Sequence, residues 1–154
     1  MIRVQQEDFD VGAEISNLVG SDKSIGALVT FVGLVRDMND GDTVADMTLE
    51  HYPGMTEKML EQIRAEAMER WPLSASLVVH RYGRLSPGEK IVLVITASAH
   101  RQSAFEANEF LVDWLKTKAP FWKHEETPKG ARWVSARSSD DAAAARWARD
   151  SQKQ

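Results

Sequence analysis

The fold of this chain depends on Ser98–Glu125, which reads SAHRQSAFEANEFLVDWLKTKAPFWKHE. A stripe of small and apolar side chains at helical spacing predicts a helix over Gln102–Leu115. The stripe consists of Ala104, Ala107, Leu111 and Leu115. A rigid Ala119-Pro120-Phe121-Trp122 step follows and leads into a predicted strand over Phe121–Glu126. The stretch therefore predicts a helix, a stiff turn and a strand that carries Lys123.

Helices and strands are mixed on both sides of this stretch. Apolar, β-branched runs bounded by turn residues predict strands over Ile25–Val35, Thr43–His51, Leu77–Tyr82, Ile91–Ala97 and Arg132–Ala136. Helical spacing and cap residues predict further helices over Val11–Val19, Thr56–Trp71 and Asp140–Trp147. Because strands and helices do not alternate strictly, the predicted class is α+β.

Length and composition indicate one globular domain. A chain of 154 residues is expected to form a single domain, here 1–150, and 151–154 is expected to be a frayed tail. No apolar run reaches the roughly 18 residues that span a bilayer, so no membrane partner is expected. MIRVQQEDFD at the N-terminus has no apolar core of a secretory signal, and we expect a cytoplasmic location.

The absence of cysteine excludes several kinds of chemistry. With no cysteine, the chain has no disulfide, thiolate metal site or thiol nucleophile, and any sulfur chemistry must use sulfur brought by a partner. The four histidines are scattered without metal-binding spacing, so we expect no metal and no cofactor. A net charge of -4 argues against a nucleic-acid partner and favours a local anion site where cations gather.

Two groups of cations have positions that suit anion binding. Arg36 follows a predicted buried strand, where the scaffold holds functional side chains firmly, although an Arg that only marks the strand's exit would also stand there. His100 and Arg101 precede a predicted helix, whose first amides attract anions. The helix dipole disfavours a cation at this end, so another interaction must offset the unfavourable charge. His80 and Arg81 lie inside a predicted strand with one face solvated, and we assign them no role.

The lysines after the helix differ from one another. The helix dipole favours cations in the last turn, which sufficiently explains Lys118 and also suits Lys116. Lys123 lies in a strand-like segment between Trp122 and His124. Because loss of solvation beside aromatic rings favours a neutral amine, Lys123 is a candidate base or nucleophile.

Several segments of the chain, in the same order and spacing, resemble the family of molybdopterin synthase large, catalytic subunits. The matching segments are Gly26-Ala27 with TFVGLVR (Thr30–Arg36), LEHYPGMTEK (Leu49–Lys58), HRYGRLSPGE (His80–Glu89), SAHRQSAFEA (Ser98–Ala107), LKTKAPFWKHE (Leu115–Glu125) and RWVSAR (Arg132–Arg137). The resemblance extends from about residue 2 to residue 147.

The resemblance implies a fold, a reaction and partners. The implied fold is an α/β hammerhead, a mixed and mostly antiparallel sheet with helices packed on it. The implied assembly is a homodimer that binds a ubiquitin-like small subunit at each end, which makes a heterotetramer. The small subunit's Gly-Gly tail ends in a thiocarboxylate. Two sulfur atoms pass from it to cyclic pyranopterin monophosphate to form the dithiolene of molybdopterin.

The resemblance also implies which residues contact substrate. These are Leu34, Val35, Arg36, His100, Arg101, Lys116, Lys123, His124 and Glu125. Lys116 and Lys123 are the implied catalytic residues, and His100 with Arg101 is the pair implied to bind the phosphate across the dimer interface. Leu34 stands where many relatives carry Lys, so contact there is expected through the backbone, and His124 stands where Arg is frequent.

Two other classes of function remain open from the sequence. One is a lysine Schiff-base enzyme that acts on a phosphorylated carbonyl compound, which borohydride trapping would reveal. The other is a non-catalytic adaptor that binds ubiquitin-like tails, which would bind a tail without converting the pterin.

Overall fold

Two four-stranded sheets, a short hairpin and helices make up the described part of the chain. The computed structural model describes residues 1–39, 41–43, 45–128, 130–134 and 138–148. The strands are β1 (Ile2–Gln5), β2 (Ala27–Leu34), β3 (Met38–Asn39), β4 (Asp42–Thr43), β5 (Asp46–His51), β6 (Leu73–Arg81), β7 (Gly83–Leu85), β8 (Lys90–Ser98), β9 (Phe121–Thr127) and β10 (Gly130–Val134). The helices are α1 (Val11–Val19), α2 (Met55–Arg70), α3 (Arg101–Thr117) and α4 (Ser138–Ala145).

The strand order is β1-β6-β8-β2 in the first sheet and β10-β9-β5-β7 in the second. β1 pairs with β6 in parallel, and the other described pairings are antiparallel. The structure therefore confirms the prediction of an α+β protein with a mostly antiparallel arrangement.

α3 packs across the first sheet and runs back along β8. The Thr96 hydroxyl donates to the Ala104 carbonyl at 2.7 Å, and the Asn108 amide donates to the carbonyls of Val29 and Val94 at 3.0 Å each. α3 starts directly after the end of β8, and at Asn108 it lies beside Val94 in the middle of that strand. Its last turn therefore reaches the Lys90 end of β8. β2 ends there too, since Leu34 pairs with Lys90.

Buried side chains form two clusters, one on each face of the first sheet. The larger cluster joins both sheets to α2 and α3 through residues such as Leu49, Ile63, Val94 and Leu111. The smaller one packs Leu77 and Val79 with Phe9 and the half-buried residues of α1. Neighbouring residues of β6 thus face different layers, as the alternation of a strand requires.

The predicted elements agree with the structure to differing degrees. The helix predicted over Val11–Val19 is confirmed at both ends, with Asp10 as the N-cap that accepts from the Ala13 amide at 2.9 Å. The other predicted helices and strands are present with ends shifted by a few residues. β1 and β7 were not predicted, because a short strand whose pairing is distant in sequence leaves little local signal.

Some predictions fall on residues outside the described ranges. The predicted tail 151–154 lies wholly outside them, as do residues 135–136 of the predicted last strand. In the part of the chain that is described, no helix has both the length and the apolar character needed to cross a membrane.

Candidate active site

The two candidate lysines lie on neighbouring elements at one end of the molecule. Lys116 is in the last turn of α3, and Lys123 is the third residue of β9. Between them the Phe121 amide donates to the Ala119 carbonyl at 2.8 Å, which closes a tight turn at Pro120. The alternation of β9 places Lys123 on the same face as Phe121 and the buried Glu125. The exposed Trp122 lies on the other face.

A buried histidine lies within electrostatic range of both lysines. His80 is 8% exposed, and its pKa is lowered to about 3. Burial is the main cause, and electrostatic interactions with Lys123, Lys116 and His51 lower the pKa further. The Arg81 carbonyl, 2.9 Å from Nδ1, acts in the opposite direction. The low pKa makes the His80 ring neutral near pH 7. Because a carbonyl only accepts, the proton of the neutral ring is on Nδ1. We call Lys116, Lys123, His51 and His80 the lysine cluster.

Aromatic side chains support the lysine cluster. The His80 ring stacks on Phe121 with 3.8 Å between centroids and 17° between planes. His51 contacts Tyr82 at 4.5 Å and Phe121 at 5.9 Å between ring centroids. The Thr56 hydroxyl donates to the Tyr52 carbonyl at 2.8 Å, so it accepts at 3.0 Å from His51 Nδ1. Both histidines are therefore held by fixed backbone or hydroxyl partners.

Arg36 leaves the first sheet at the same end as the lysine cluster. β2 ends with a register shift between Gly33 and Leu34. The Val35 amide then donates to the Glu89 carbonyl at 2.9 Å, and the Val35 carbonyl accepts from Gly88 at 2.7 Å. Val35 is buried by these contacts, whereas Leu34 and Arg36 are exposed on either side of it. The anchored backbone thus directs Arg36 to solvent at the end of α3 where Lys116 lies.

His100 and Arg101 lie at the opposite end of α3. His100 is the N-cap in an extended conformation without a side-chain cap hydrogen bond, and the first turn has no acidic residue. Both side chains are exposed. A helix rises 1.5 Å per residue, so Arg101 and Lys116 are about 22 Å apart along the axis. Within one chain the structure brings together Lys116 and Lys123 but separates them from His100 and Arg101.

The remaining predicted site residues flank Lys123. Glu125 is 6% exposed and pairs with Met47 across β5. His124 is half-buried and faces the other side of the sheet, with Thr48 as its neighbour in register. Only Glu125 therefore shares the face of Lys123.

The prediction for His80 and Arg81 is wrong. Both were expected on a strand with a solvated face, yet they are 8% and 7% exposed. β6 is covered on both edges by β1 and β8, and Arg81 is held by the carbonyls of Gln6 at 3.0 Å and Lys90 at 2.8 Å. The one available signal was the pair of polar residues directly after the apolar run Leu77–Val79.

The described residues contain no group of three or more His, Asp or Glu side chains arranged to hold a metal ion. The cationic residues around α3 are suited to binding anions and transferring protons.

Comparisons with known proteins agree on one family. The family model described as MoaE protein matches residues 4–118. The molybdopterin synthase catalytic subunit of Pseudomonas aeruginosa is 60% identical over 146 residues, which are 95% of this chain and 97% of that protein.

Solved structures share the fold. The molybdopterin biosynthesis MoaE protein from Burkholderia ambifaria has a TM-score of 0.82 and 57% identity, covering 96% of this chain and 97% of that one. A complex of subunits 1 and 2 of the molybdopterin-converting factor from Helicobacter pylori has a chain with a TM-score of 0.72 and 20% identity. The match covers 89% of this chain and 92% of that chain, and at this identity it supports the fold alone.

Proposed function

Because this chain belongs to the MoaE protein family and has the function of a molybdopterin synthase catalytic subunit, a sulfurtransferase of molybdenum cofactor biosynthesis, we propose that the lysine cluster is where it transfers sulfur. The observation that carries the proposal is the placement of Lys116 and Lys123 beside the buried, neutral His80. Two cationic side chains within electrostatic range of one buried ring suit an anionic tail and the charge that develops during transfer.

The sulfur donor in this proposal is a separate ubiquitin-like subunit with a thiocarboxylated Gly-Gly tail. The chain has no cysteine, so its own residues supply no sulfur nucleophile. Relatives that match nearly the whole chain are named catalytic subunits of molybdopterin synthase, which supports a further subunit as the partner. The tail reaches the lysine cluster, where Lys116 and Lys123 neutralise its terminal carboxylate.

The acceptor in this proposal is cyclic pyranopterin monophosphate. The thiocarboxylate sulfur attacks a side-chain carbon of the pterin, and the new carbon–sulfur bond replaces a carbon–oxygen bond at that carbon. For one sulfur the cyclic phosphate opens and keeps the released oxygen, and for the other sulfur the oxygen leaves as water. Water then cleaves the acyl–sulfur bond, which leaves a carboxylate on the donor and sulfur on the pterin. One lysine transfers the proton as general acid or base. Because the thiocarboxylate is already a good nucleophile, placement of the two reactants is the main contribution of the protein.

The phosphate of the acceptor is held by Arg36 together with His100 and Arg101 of a second copy. Arg36 exits at the same end of the sheet as Lys116, whereas Arg101 of the same chain lies about 22 Å away along α3. A pterin monophosphate is too short to reach both ends of that helix. A symmetric dimer brings the α3 N-terminus of one copy to the lysine cluster of the other, and a donor at each end completes a heterotetramer.

Sulfur transfer in a purified system tests the proposed function. The chain is mixed with the pterin and either a thiocarboxylated donor, the same donor with an ordinary carboxylate, or free sulfide, and dithiolene product is measured by mass spectrometry. We expect product only with the thiocarboxylated donor. Equal rates with free sulfide would overturn the proposed donor.

A further inference from the structure

His80 occupies a rigid position in the first sheet. It pairs in register with Val4 of β1 on one side and Val92 of β8 on the other. Its Nδ1 donates to the Arg81 carbonyl at 2.9 Å, which fixes the rotation of the ring. With the side chain 8% exposed, the ring has little room to change rotamer.

The His80 ring connects the two sheets at the lysine cluster. Its stacking partner Phe121 belongs to β9 of the second sheet, where it pairs with His51 of β5. The centroid distance of 3.8 Å and angle of 17° describe a close face-to-face contact. The start of β9 in the second sheet therefore packs against the His80 side chain of the first sheet.

Phe121 lies between the two lysines in the chain. It follows Lys116 by one short turn, and it precedes Lys123 by two residues on the same face of β9. A shift of Phe121 would therefore move Lys123 relative to Lys116. A misplacement of about 1 Å can lower a rate by about a hundredfold when catalysis depends on placement.

We propose that His80 is a positioning residue for sulfur transfer, which sets the separation of Lys116 and Lys123 through its stack on Phe121. The inference rests on the proposed roles of the two lysines. His80 needs no contact with either substrate in this role. Its neutral state also keeps a further positive charge out of the lysine cluster.

Two substitutions separate the effect of the flat His80 ring from the effect of its hydrogen bond to the Arg81 carbonyl. His80→Phe keeps a flat ring over Phe121 and removes the donor to the Arg81 carbonyl. His80→Leu fills a similar apolar volume and removes the flat ring. We expect His80→Leu to lower the single-turnover rate constant about tenfold or more, with KM for the pterin and Kd for the donor within about twofold. We expect His80→Phe to stay within about threefold of the unaltered protein.

Val79→Ala is the matched control for loss of stability. Val79 is the fully buried neighbour of His80 on β6, and it packs with Leu77 and Phe9 on the opposite face of the sheet. Rates are compared at temperatures equally far below each variant's Tm. We expect Val79→Ala to keep the unaltered rate constant, because the His80–Phe121 contact is intact.

The outcomes distinguish this inference from the proposed function. Normal turnover by His80→Leu, while Lys116→Ala and Lys123→Ala are slow, would overturn the positioning role alone. An equal loss in Val79→Ala, or no recovery in His80→Phe, would overturn it as well. Normal turnover by both lysine variants would instead contradict the proposed function.

Discussion

The two ends of α3 both carry exposed cationic side chains, but they differ in what surrounds those side chains. At its C-terminal end, Lys116 lies near Lys123, the buried His80 and a set of stacked rings. At its N-terminal end, His100 and Arg101 are exposed, and the cap residue makes no side-chain hydrogen bond to the first turn. The lysine end is supported by the stacked rings beside it, whereas the N-terminal end combines the first turn of the helix with two exposed cationic side chains.

This difference indicates that the two ends of α3 have different roles in the reaction. Preorganised groups suit bond making, because their geometry is fixed before the reactants arrive. Exposed cations at a helix N-terminus suit capture of an anion such as a phosphate, which replaces the water on the first amides. Substitutions at the lysine end should therefore change rate constants, and substitutions at the other end should change pterin affinity.

The largest effect is expected at the lysine end. Lys116→Ala and Lys123→Ala should each lower turnover by about 10²–10⁴-fold, the usual contribution of a general acid or base. Neither residue is among the fully buried side chains, so Tm should change little. Single-turnover assays with melting curves measure both quantities.

Lys118 is the matched control for these variants. It is exposed and follows α3 directly, with a backbone amide that donates to the Trp114 carbonyl at 2.8 Å. Lys118→Ala should keep near-normal turnover. An equal loss in all three variants would mean that a diffuse positive patch, rather than two placed lysines, supports the reaction.

A smaller effect is expected at the N-terminal end of α3. Arg101→Ala should raise KM for the pterin about tenfold to a hundredfold, because a charge-assisted hydrogen bond to a phosphate contributes about 1.5–3 kcal/mol. The affinity for the sulfur donor should be unchanged, since the proposed site of the donor tail is at the lysine end. A variant with normal KM and weakened donor binding would reverse the assignment of the two ends.

Gly26 offers a way to disturb the N-terminal end without changing a charge. A Cβ on Gly26 would lie 2.2 Å from the Ala99 carbonyl oxygen, so Gly26→Ala must move the backbone just before His100. We expect a few-fold rise in KM for the pterin and a loss of about 1–3 kcal/mol in stability.

Gly12→Ala is the control, because its Cβ would meet only the Asp10 carboxylate at 3.5 Å. It should leave KM unchanged. If Gly26→Ala leaves the pterin KM unaltered as well, the backbone before His100 does not determine phosphate affinity.

The smallest effect concerns stability and pH. The folded state holds the pKa of His80 at about 3, against 6.5 for the free side chain. The contribution of neutral His80 to the free energy of unfolding is therefore present above about pH 6.5. It is lost progressively as the pH falls toward 3, because only the unfolded state takes up the proton. Between pH 6.5 and 5, the free energy of unfolding of the unaltered protein should fall by about 1.5 kcal/mol more than that of His80→Phe. Urea unfolding across this range measures the difference, and parallel curves would contradict a buried, neutral His80.

Local signals in the sequence predicted the elements but not how they meet. The Asp10 cap and Gly20 define α1 without help from distant residues, and that helix is confirmed at both ends. β1 pairs with β6, more than seventy residues away, and no local pattern reports such a pairing.

The candidate site shows the same limit. Arg101 and Lys116 directly flank the predicted helix Gln102–Leu115, so the prediction already placed them at its opposite ends. The burial and neutral state of His80, in contrast, come from β1 and β8 on its two sides and from Phe121 of another sheet. None of these neighbours except β8 is close to His80 in the sequence.

Complementation between two impaired variants, measured at a pterin concentration far below the KM of either variant, tests most directly the claim that the two ends of α3 act together in one site built from two copies. In a verified heterodimer of Arg101→Ala and Lys116→Ala chains, one site carries both lesions and the other carries neither. We expect about half of the unaltered turnover per heterodimer, since a symmetric dimer has two such sites. Turnover no higher than the mean of the two homodimers would contradict the shared site, because it would mean that both residues serve the same site from one chain.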